Sequence, residues 1–338
     1  MKKNITSVLK ILFFLAIGVF FIWLFLRQLT PEQKHEIWQT FITANFSWII
    51  LSIIIGILSH VVRAYRWRIL MEPLGYHPKL SNTFFAVMIG YLANMALPRL
   101  GEVTRCGVMN KYEKIPINKG IGTVFVERSI DMVVFLLLFF FNLFIFFDEL
   151  NQYVNEKVYR PLMDKLNISD ETSNYLYLLL IFFVLIVGVF FLIRKRISHL
   201  KIYIKGREVV LGFWHGLWSV TKIKKPLLFI FQSILIWVLY YLMVFVCFFS
   251  LAETSHLGWD AALSVLIFGS IGIMVVQGGI GIYPAIIAET LVLYNITNTY
   301  GYALGWLTWT AQTLMIVVAG IVSLILLPIY NKKNHEKA

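Results

Sequence analysis

Charge is what this chain has least of. Only 14% of its 338 residues are Asp, Glu, Lys or Arg, and 18 of them are acidic. A soluble domain carries about 25% charge and 45–50% apolar residues. Here 59% of residues are hydrophobic and the mean hydropathy is +0.76. No soluble core absorbs that excess, so the composition identifies an integral membrane protein. Cysteine is nearly absent as well: Cys106 and Cys247 stand alone, in or beside apolar stretches, which excludes a disulfide framework and a thiolate metal cluster. The seven His residues are scattered without metal-ligand spacing. No Ser/His/Asp or Cys/His arrangement stands out. There is no phosphate loop of the GxxxxGK[ST] kind and no dinucleotide fingerprint, so no nucleotide or other cofactor is expected.

What is present is apolar, aromatic and basic. Phe alone occurs 28 times, suiting lipid-facing helix surfaces and interfacial belts. The formal net charge of +12 sits in loops between apolar spans, a signature of membrane orientation and anionic lipid rather than of nucleic acid. The N-terminus, Met1-Lys2-Lys3 followed by apolar residues from Val8 to Leu26, is too long for a signal peptide and lacks a small-residue cleavage site. It is expected to be retained as a first helix, with Lys10 snorkelling to the interface.

Long apolar runs cover about 8–26, 48–62, 130–147, 175–193, 227–251 and 302–327. Two more segments, 82–97 and 261–294, are apolar but broken, the second by Gln277 to Pro284. Loops 63–79, 99–119 and 194–225 and the tail around Lys332 are basic; 148–174 and Glu253–Asp260 are acidic. The positive-inside rule puts the basic set in the cytoplasm. That threading predicts an all-α polytopic protein with six full spans, both termini cytoplasmic, and two re-entrant hairpins entering from opposite sides, as a pseudo inverted repeat produces. An eight-span threading, with 82–97 crossing fully, is the alternative; the return arm of the first hairpin is either 99–115 or 116–129. Residues 1–338 read as one membrane domain in the cytoplasmic membrane, with 194–225 a basic amphipathic helix lying on the inner leaflet.

Four constellations carry chemistry. Arg63, Arg66 and Trp67 share a helix face, so two guanidiniums could fork a phosphate beside an indole; a snorkelling membrane anchor has the same composition. Asn94, Pro98, Arg99, Gly101, Glu102 and Arg105 follow a broken apolar helix, where Pro98 ends the helix and Gly101 lets the chain turn. Glu127, Arg128 and Asp131 lead into an uninterrupted apolar run, with Arg128 spaced to pair with Asp131; a structural ion pair is the plainer reading. Each ionised group at bilayer centre costs roughly 2.5–3.5 kcal/mol on insertion scales, so charges kept there face a partner or a watery cavity. Gly278, Gly279 and Gly281 supply the flexibility of a hairpin tip.

In this order, the elements Arg63-x-x-Arg66-Trp67, Asn94-x-x-Leu97-Pro98-Arg99-x-Gly101-Glu102-x-x-Arg105, Glu127-Arg128-x-x-Asp131 and Gly278-Gly279-Ile280-Gly281 resemble the flippase-like family, also called the lysylphosphatidylglycerol synthase transmembrane region family. The resemblance runs from about residue 10 to 327. It implies a prokaryotic membrane protein that moves phospholipid, aminoacylated lipid or a lipid-linked intermediate between leaflets, and it implies two re-entrant hairpins. Many relatives carry an Arg-Glu pair just after the glycine element, where this chain has Tyr283-Pro284. Members that make aminoacylated lipid carry a soluble aminoacyl-transfer domain after the membrane region; this sequence ends at Ala338, and no synthesis of that lipid by the chain alone is expected. The expected partner is an anionic or lipid-linked head group, bound by the residues of the four constellations. A lipid-biosynthesis enzyme or a second copy of the chain is a further candidate partner. The rival reading is a membrane-embedded enzyme or accessory subunit of lipid or glycolipid biosynthesis, with Glu102 or Asp131 as acid or base.

Overall fold

The computed structural model describes residue 27 and residues 30–97, 99–145 and 223–335, and among these every regular element is helical. We number the long helices α1 (Pro31–Thr43), α2 (Phe46–Met71), α3 (Leu80–Ala96), α4 (Leu100–Glu113), α5 (Ile117–Ile145), α6 (Pro226–Phe248), α7 (Trp259–Val275), α8 (Ile282–Val292) and α9 (Asn298–His335). The expected spans at 8–26 and 175–193 lie outside the described residues, as does linker 194–225 apart from its last three residues.

Local chemistry sets the boundaries. Asn45 caps α2 by accepting from the Ser47 N–H at 3.1 Å. Pro73 and a left-handed Gly75 (φ 84°) follow the end of α2. Proline stands at the first position of α6, where a missing N–H costs nothing. The break after α7 uses Gly278, Gly279 and Gly281, all at φ between 69° and 74°, a region that side chains with a Cβ disfavour.

Hydrogen bonds between helices give the assembly two ends. At one, Asn82 and Asn331 exchange amide bonds of 3.0 and 2.9 Å, Glu113 accepts from Asn82 at 2.6 Å, and Lys225 approaches Glu72 at 3.8 Å. Lys79, Lys111, Lys114, Lys119, Lys224 and Lys332 belong to this end. At the other, the Asn45 N–H donates to the Ser250 carbonyl at 2.8 Å and Asn142 to Ser264 at 2.8 Å, near Glu253 and Asp260. The helices α2, α5, α6 and α9 each run from one end to the other. Of these α2, α6 and α9 are long and apolar enough to cross a membrane by composition alone. Their outward faces carry Ile50, Ile54, Phe231, Ile234, Val318 and Ile325, all exposed, an apolar surface of the kind a membrane protein turns to lipid.

Between these long helices sit two helical hairpins. The arms of the first, α3 and α4, begin and finish at the basic end, because Asn82 near the start of α3 bonds Glu113 at the close of α4. The helix paired with α3 in this hairpin is therefore α4. The second, α7 and α8, begins and finishes at the opposite end: Ser264 bonds Tyr294 at 2.8 Å, while Gly269 and Gly272 pack on Tyr283. The arms of the two hairpins are 17, 14, 17 and 11 residues long.

Candidate functional site

The charged side chains converge from three helices, and a fourth adds hydroxyls. Arg63 and Arg66 project from α2 one turn apart; Glu127 and Asp131 project from the middle of α5, also one turn apart. One Nη1 of Arg63 reaches both carboxylates, Glu127 at 2.6 Å and Asp131 at 2.8 Å. Arg66 approaches the same pair at 2.7 Å to Asp131 and 3.4 Å to Glu127. Arg105, brought in by the return arm α4, touches the second oxygen of Glu127 at 3.1 Å. Helix α6 adds hydroxyls: Arg66 donates to Ser233 at 3.0 Å and Arg63 to Tyr240 at 3.0 Å. Three guanidiniums thus face two carboxylates, and all five are buried. Such a network holds only because each member is paired; removing one carboxylate would strand a buried cation.

Trp67 completes the wall. Its indole N–H donates to Thr123 at 2.9 Å, and the Arg105 guanidinium lies 4.6 Å from the ring centroid. The helix-face reading of Arg63, Arg66 and Trp67 agrees with this geometry, although all three point into protein rather than to an interface. The spacing-based pair Arg128–Asp131 does not form. Asp131 turns toward α2, and Arg128 pairs with Glu102 of α4 at 3.0 Å, where both are partly exposed. A spacing of three aligns side chains along one helix, but here the stronger partners come from neighbouring helices.

Asn94 sits at the turn of the first hairpin and accepts from the Gly101 N–H at 2.7 Å, satisfying a free donor at the start of α4. A Cβ at Gly101 would overlap the Gly90 carbonyl oxygen, so glycine is what lets α3 and α4 close on each other. Arg99 adopts φ 65° and lies exposed at the turn, apart from the buried network. Pro98 is outside the described residues. Gly278, Gly279 and Gly281 form the tip of the second hairpin, where the Gly278 carbonyl accepts from the Trp309 indole at 2.6 Å. No Arg-Glu pair follows them; Tyr283 is buried against Gly269.

Beside the charged wall opens a cavity of about 500 Å³, within the usual size of a small-molecule site. Arg63, Arg128, Asp131 and Tyr240 form its polar side, and α7, α8 and α9 contribute Leu266, Ile273, Tyr283 and Met315. It lies between the two hairpins, with Tyr91 from the first and Met274 from the second both on its wall. Sequence reasoning missed Tyr91, Ser233, Trp237 and Tyr240. The signal available for α6 was the set of polar or amphipathic residues Ser233, Trp237 and Tyr240 recurring on one face of an apolar run. His60 was visible one turn before Arg63, and it lines the cavity with its ring 4.8 Å from that of Tyr91. Among the described residues no group of three His, Cys, Asp or Glu side chains converges as a metal site.

A UPF0104 membrane protein of Methanocaldococcus jannaschii, MJ1595, is 31% identical over 147 residues, 43% of this chain and 40% of that protein, so the match spans less than half of either. No solved structure matches. The family described as the lysylphosphatidylglycerol synthase TM region matches residues 8–334, nearly the whole chain with all four charged and glycine-rich elements, and this membrane protein belongs to that family.

Proposed function

We propose that this protein carries a phospholipid, an aminoacylated lipid or a lipid-linked intermediate between the leaflets of the cytoplasmic membrane. The observation that carries the reading is the cavity itself: a pocket with one charged wall, lying between two hairpins that start from opposite ends. A lipid crossing the bilayer needs a polar station near mid-depth for its head group, and non-helical backbone at that depth is tolerated only where it is buried or lines a cavity.

In this reading both hairpins re-enter, the basic end faces the cytoplasm, and both termini lie there. Arg63, Arg66 and Arg105 exceed their two carboxylate partners by one positive charge, which draws an anionic head group to the wall. Arg128 is the guanidinium placed to meet it, because it lines the cavity and is about half exposed. Glu102, its present partner, releases it or receives a cationic group on the same lipid. Movement is downhill or coupled to an ion gradient, and the chain acts as a transporter rather than as an enzyme. A lipid-synthesising enzyme or a second copy of the chain is the natural partner in the membrane.

The test is leaflet-resolved. Purified protein is reconstituted into vesicles holding a fluorescent anionic phospholipid, and the fraction quenched from outside is followed with time. Exchange faster than in protein-free vesicles, and lost in Arg128→Gln, supports transport. Exchange at the protein-free rate, or a new lipid species in the extract, rejects it.

A further inference from the structure

Helix α1 takes no part in the charged network, and its side chains sort into three stripes, each at the four-residue spacing that keeps neighbours on one helix face. Ile37 and Phe41 form the first, and they cluster with Ala285 and Ala288 of α8 and with Tyr302, Ala303 and Trp306 of α9. Trp38 and Ile42 form the second; both are large and apolar, yet they stay 64% and 60% exposed. His35, Gln39 and Thr43 form the third. All three are exposed, with the Gln39 amide 3.4 Å from the His35 ring and the Thr43 hydroxyl donating to the Gln39 carbonyl at 3.0 Å. At about 100° per residue, the exposed apolar stripe falls between the protein-facing stripe and the polar one. A helix on the surface of a soluble domain needs two faces, whereas one lying on a bilayer beside its own protein needs three.

The place of α1 in the fold fits that use. The chain leaves α1 through Asn45, whose N–H donates to the Ser250 carbonyl at 2.8 Å, so α1 finishes at the end that carries Glu253 and Asp260. From Trp38 through Ile42, Phe46 and Ile50 to Ile54, every fourth residue is a large apolar side chain more than half exposed. The exposed stripe of α1 thus continues in kind along α2, a helix of membrane-crossing length. Two more tryptophans stand at the same end: Trp48, its ring 5.0 Å from that of Phe249, and Trp259, exposed at the first position of α7. Tryptophans gathered at one level mark the boundary between bilayer and water. Unlike the basic end, α1 has little positive charge, with Glu32 and Glu36 against Lys34.

We infer that α1 is an interfacial helix lying along the surface of the leaflet at the acidic end. Trp38 and Ile42 sink among the lipids, His35, Gln39 and Thr43 face water, and Ile37 and Phe41 tie α8 and α9 to that depth. The partner is a lipid surface, held by apolar insertion rather than by head-group charge, because acidic residues outnumber the lysine on this helix. A helix held by lysines would instead follow anionic lipid and salt. The second hairpin gains a fixed reference from this contact, since Ala285 and Ala288 belong to its arm α8. The inference stands whether or not the chain moves lipid.

The experiment uses the full chain in phosphatidylcholine nanodiscs, with a bimane fluorophore on one introduced cysteine at a time: Trp38→Cys, Ile42→Cys, Gln39→Cys or, as a lipid-facing reference, Ile50→Cys. The native Cys106 and Cys247 are buried and stay unlabelled. Two quenchers are compared, a lipid carrying a spin label near the head of its chain and aqueous iodide. The expected result is lipid quenching at positions 38 and 42 as strong as at 50, and iodide quenching at 39. Adding phosphatidylglycerol or raising salt should leave the quenching at 42 unchanged. Trp38→Asp combined with Ile42→Cys should lower lipid quenching at 42 severalfold, while Trp38→Phe should retain it. Iodide quenching at 38 and 42 as strong as at 39 overturns the inference, because the helix then stands in water. Quenching by neither agent overturns it as well, since more of the chain or a second copy then covers the stripe. Lipid quenching that needs phosphatidylglycerol, is lost in salt or ignores Trp38→Asp rejects apolar insertion.

Discussion

The side-chain oxygen of Asn94 accepts from the Gly101 N–H at 2.7 Å, so one asparagine closes the first hairpin and caps its return arm. The bond works because Gly101 has no Cβ to press on Gly90 or on Asn94 itself. Gly101→Ala should force α3 and α4 apart at an overpacking cost of roughly 1–3 kcal/mol. Asn94→Ala should lose a cap, about 1 kcal/mol. Thermal unfolding in detergent should rank wild type above Asn94→Ala and Asn94→Ala above Gly101→Ala; equal midpoints for wild type and Gly101→Ala would show that the turn is not held as described.

The buried network makes a sharper prediction. Glu127→Gln leaves Arg63, Arg66 and Arg105 with Asp131 as their one carboxylate, and breaking a buried pair costs roughly 3–5 kcal/mol. Replacing both partners, Arg63→Met with Glu127→Met, should cost much less than the two single changes added. A double-mutant cycle read by unfolding midpoints measures the coupling, and additive effects would contradict the contact. Because the groups are buried, raising salt should leave the coupling nearly unchanged.

Arg128 and Glu102 behave differently, since their 3.0 Å pair is 46% and 26% exposed. Partly exposed pairs are worth about 0–1 kcal/mol, so Arg128→Gln should barely move the unfolding midpoint. Leaflet exchange should nevertheless fall severalfold or more. The exchanged pair, Arg128→Glu with Glu102→Arg, should keep stability and not restore transport, because the cation then stands on α4. Full activity in the exchanged pair would assign Arg128 a purely structural role.

Much of this arrangement was legible beforehand, and the reason is physical. Hydropathy and loop charge act over whole segments, so the long apolar helices α2, α6 and α9 and the two broken segments follow from composition alone. The glycines after α7 announced their turn because positive φ excludes most other residues. Partner choice was a different matter. Asp131 pairs with Arg63 and Arg66, more than sixty positions earlier, and Arg128 with Glu102 on another helix. No spacing rule within one helix reaches such partners. The unpartnered ring nitrogens of Trp237 and His60 were invisible for the same reason, since a group's lack of a partner is a property of the packed structure.

The tip of the second hairpin depends on Trp309, whose indole donates to the Gly278 carbonyl at 2.6 Å. Trp309→Phe should free that tip while leaving the ring packing against Trp306, and hydrogen exchange at residues 277–281 should speed up severalfold. Gly278→Ala acts on the backbone instead, because φ 71° costs a residue with a Cβ roughly 1–2 kcal/mol. If neither change alters exchange there, the tip is held by something other than this bond.

The threading itself can be read with thiol reagents that do not cross membranes. Cys106 and Cys247 are buried, so neither should react in the folded protein, and single cysteines can be added to the native background. Lys79→Cys precedes α3 and Lys114→Cys follows α4, and bonds between these arms hold both positions at the basic end. If the first hairpin re-enters, both cysteines are labelled from the cytoplasmic side alone. A cysteine at Glu253 should be labelled from the other face. Labelling of position 79 and position 114 from opposite faces would instead mean that the 80–96 segment crosses fully. The first hairpin would then contribute a span in place of a tip, and a transport path built on two opposed tips would lose one of them.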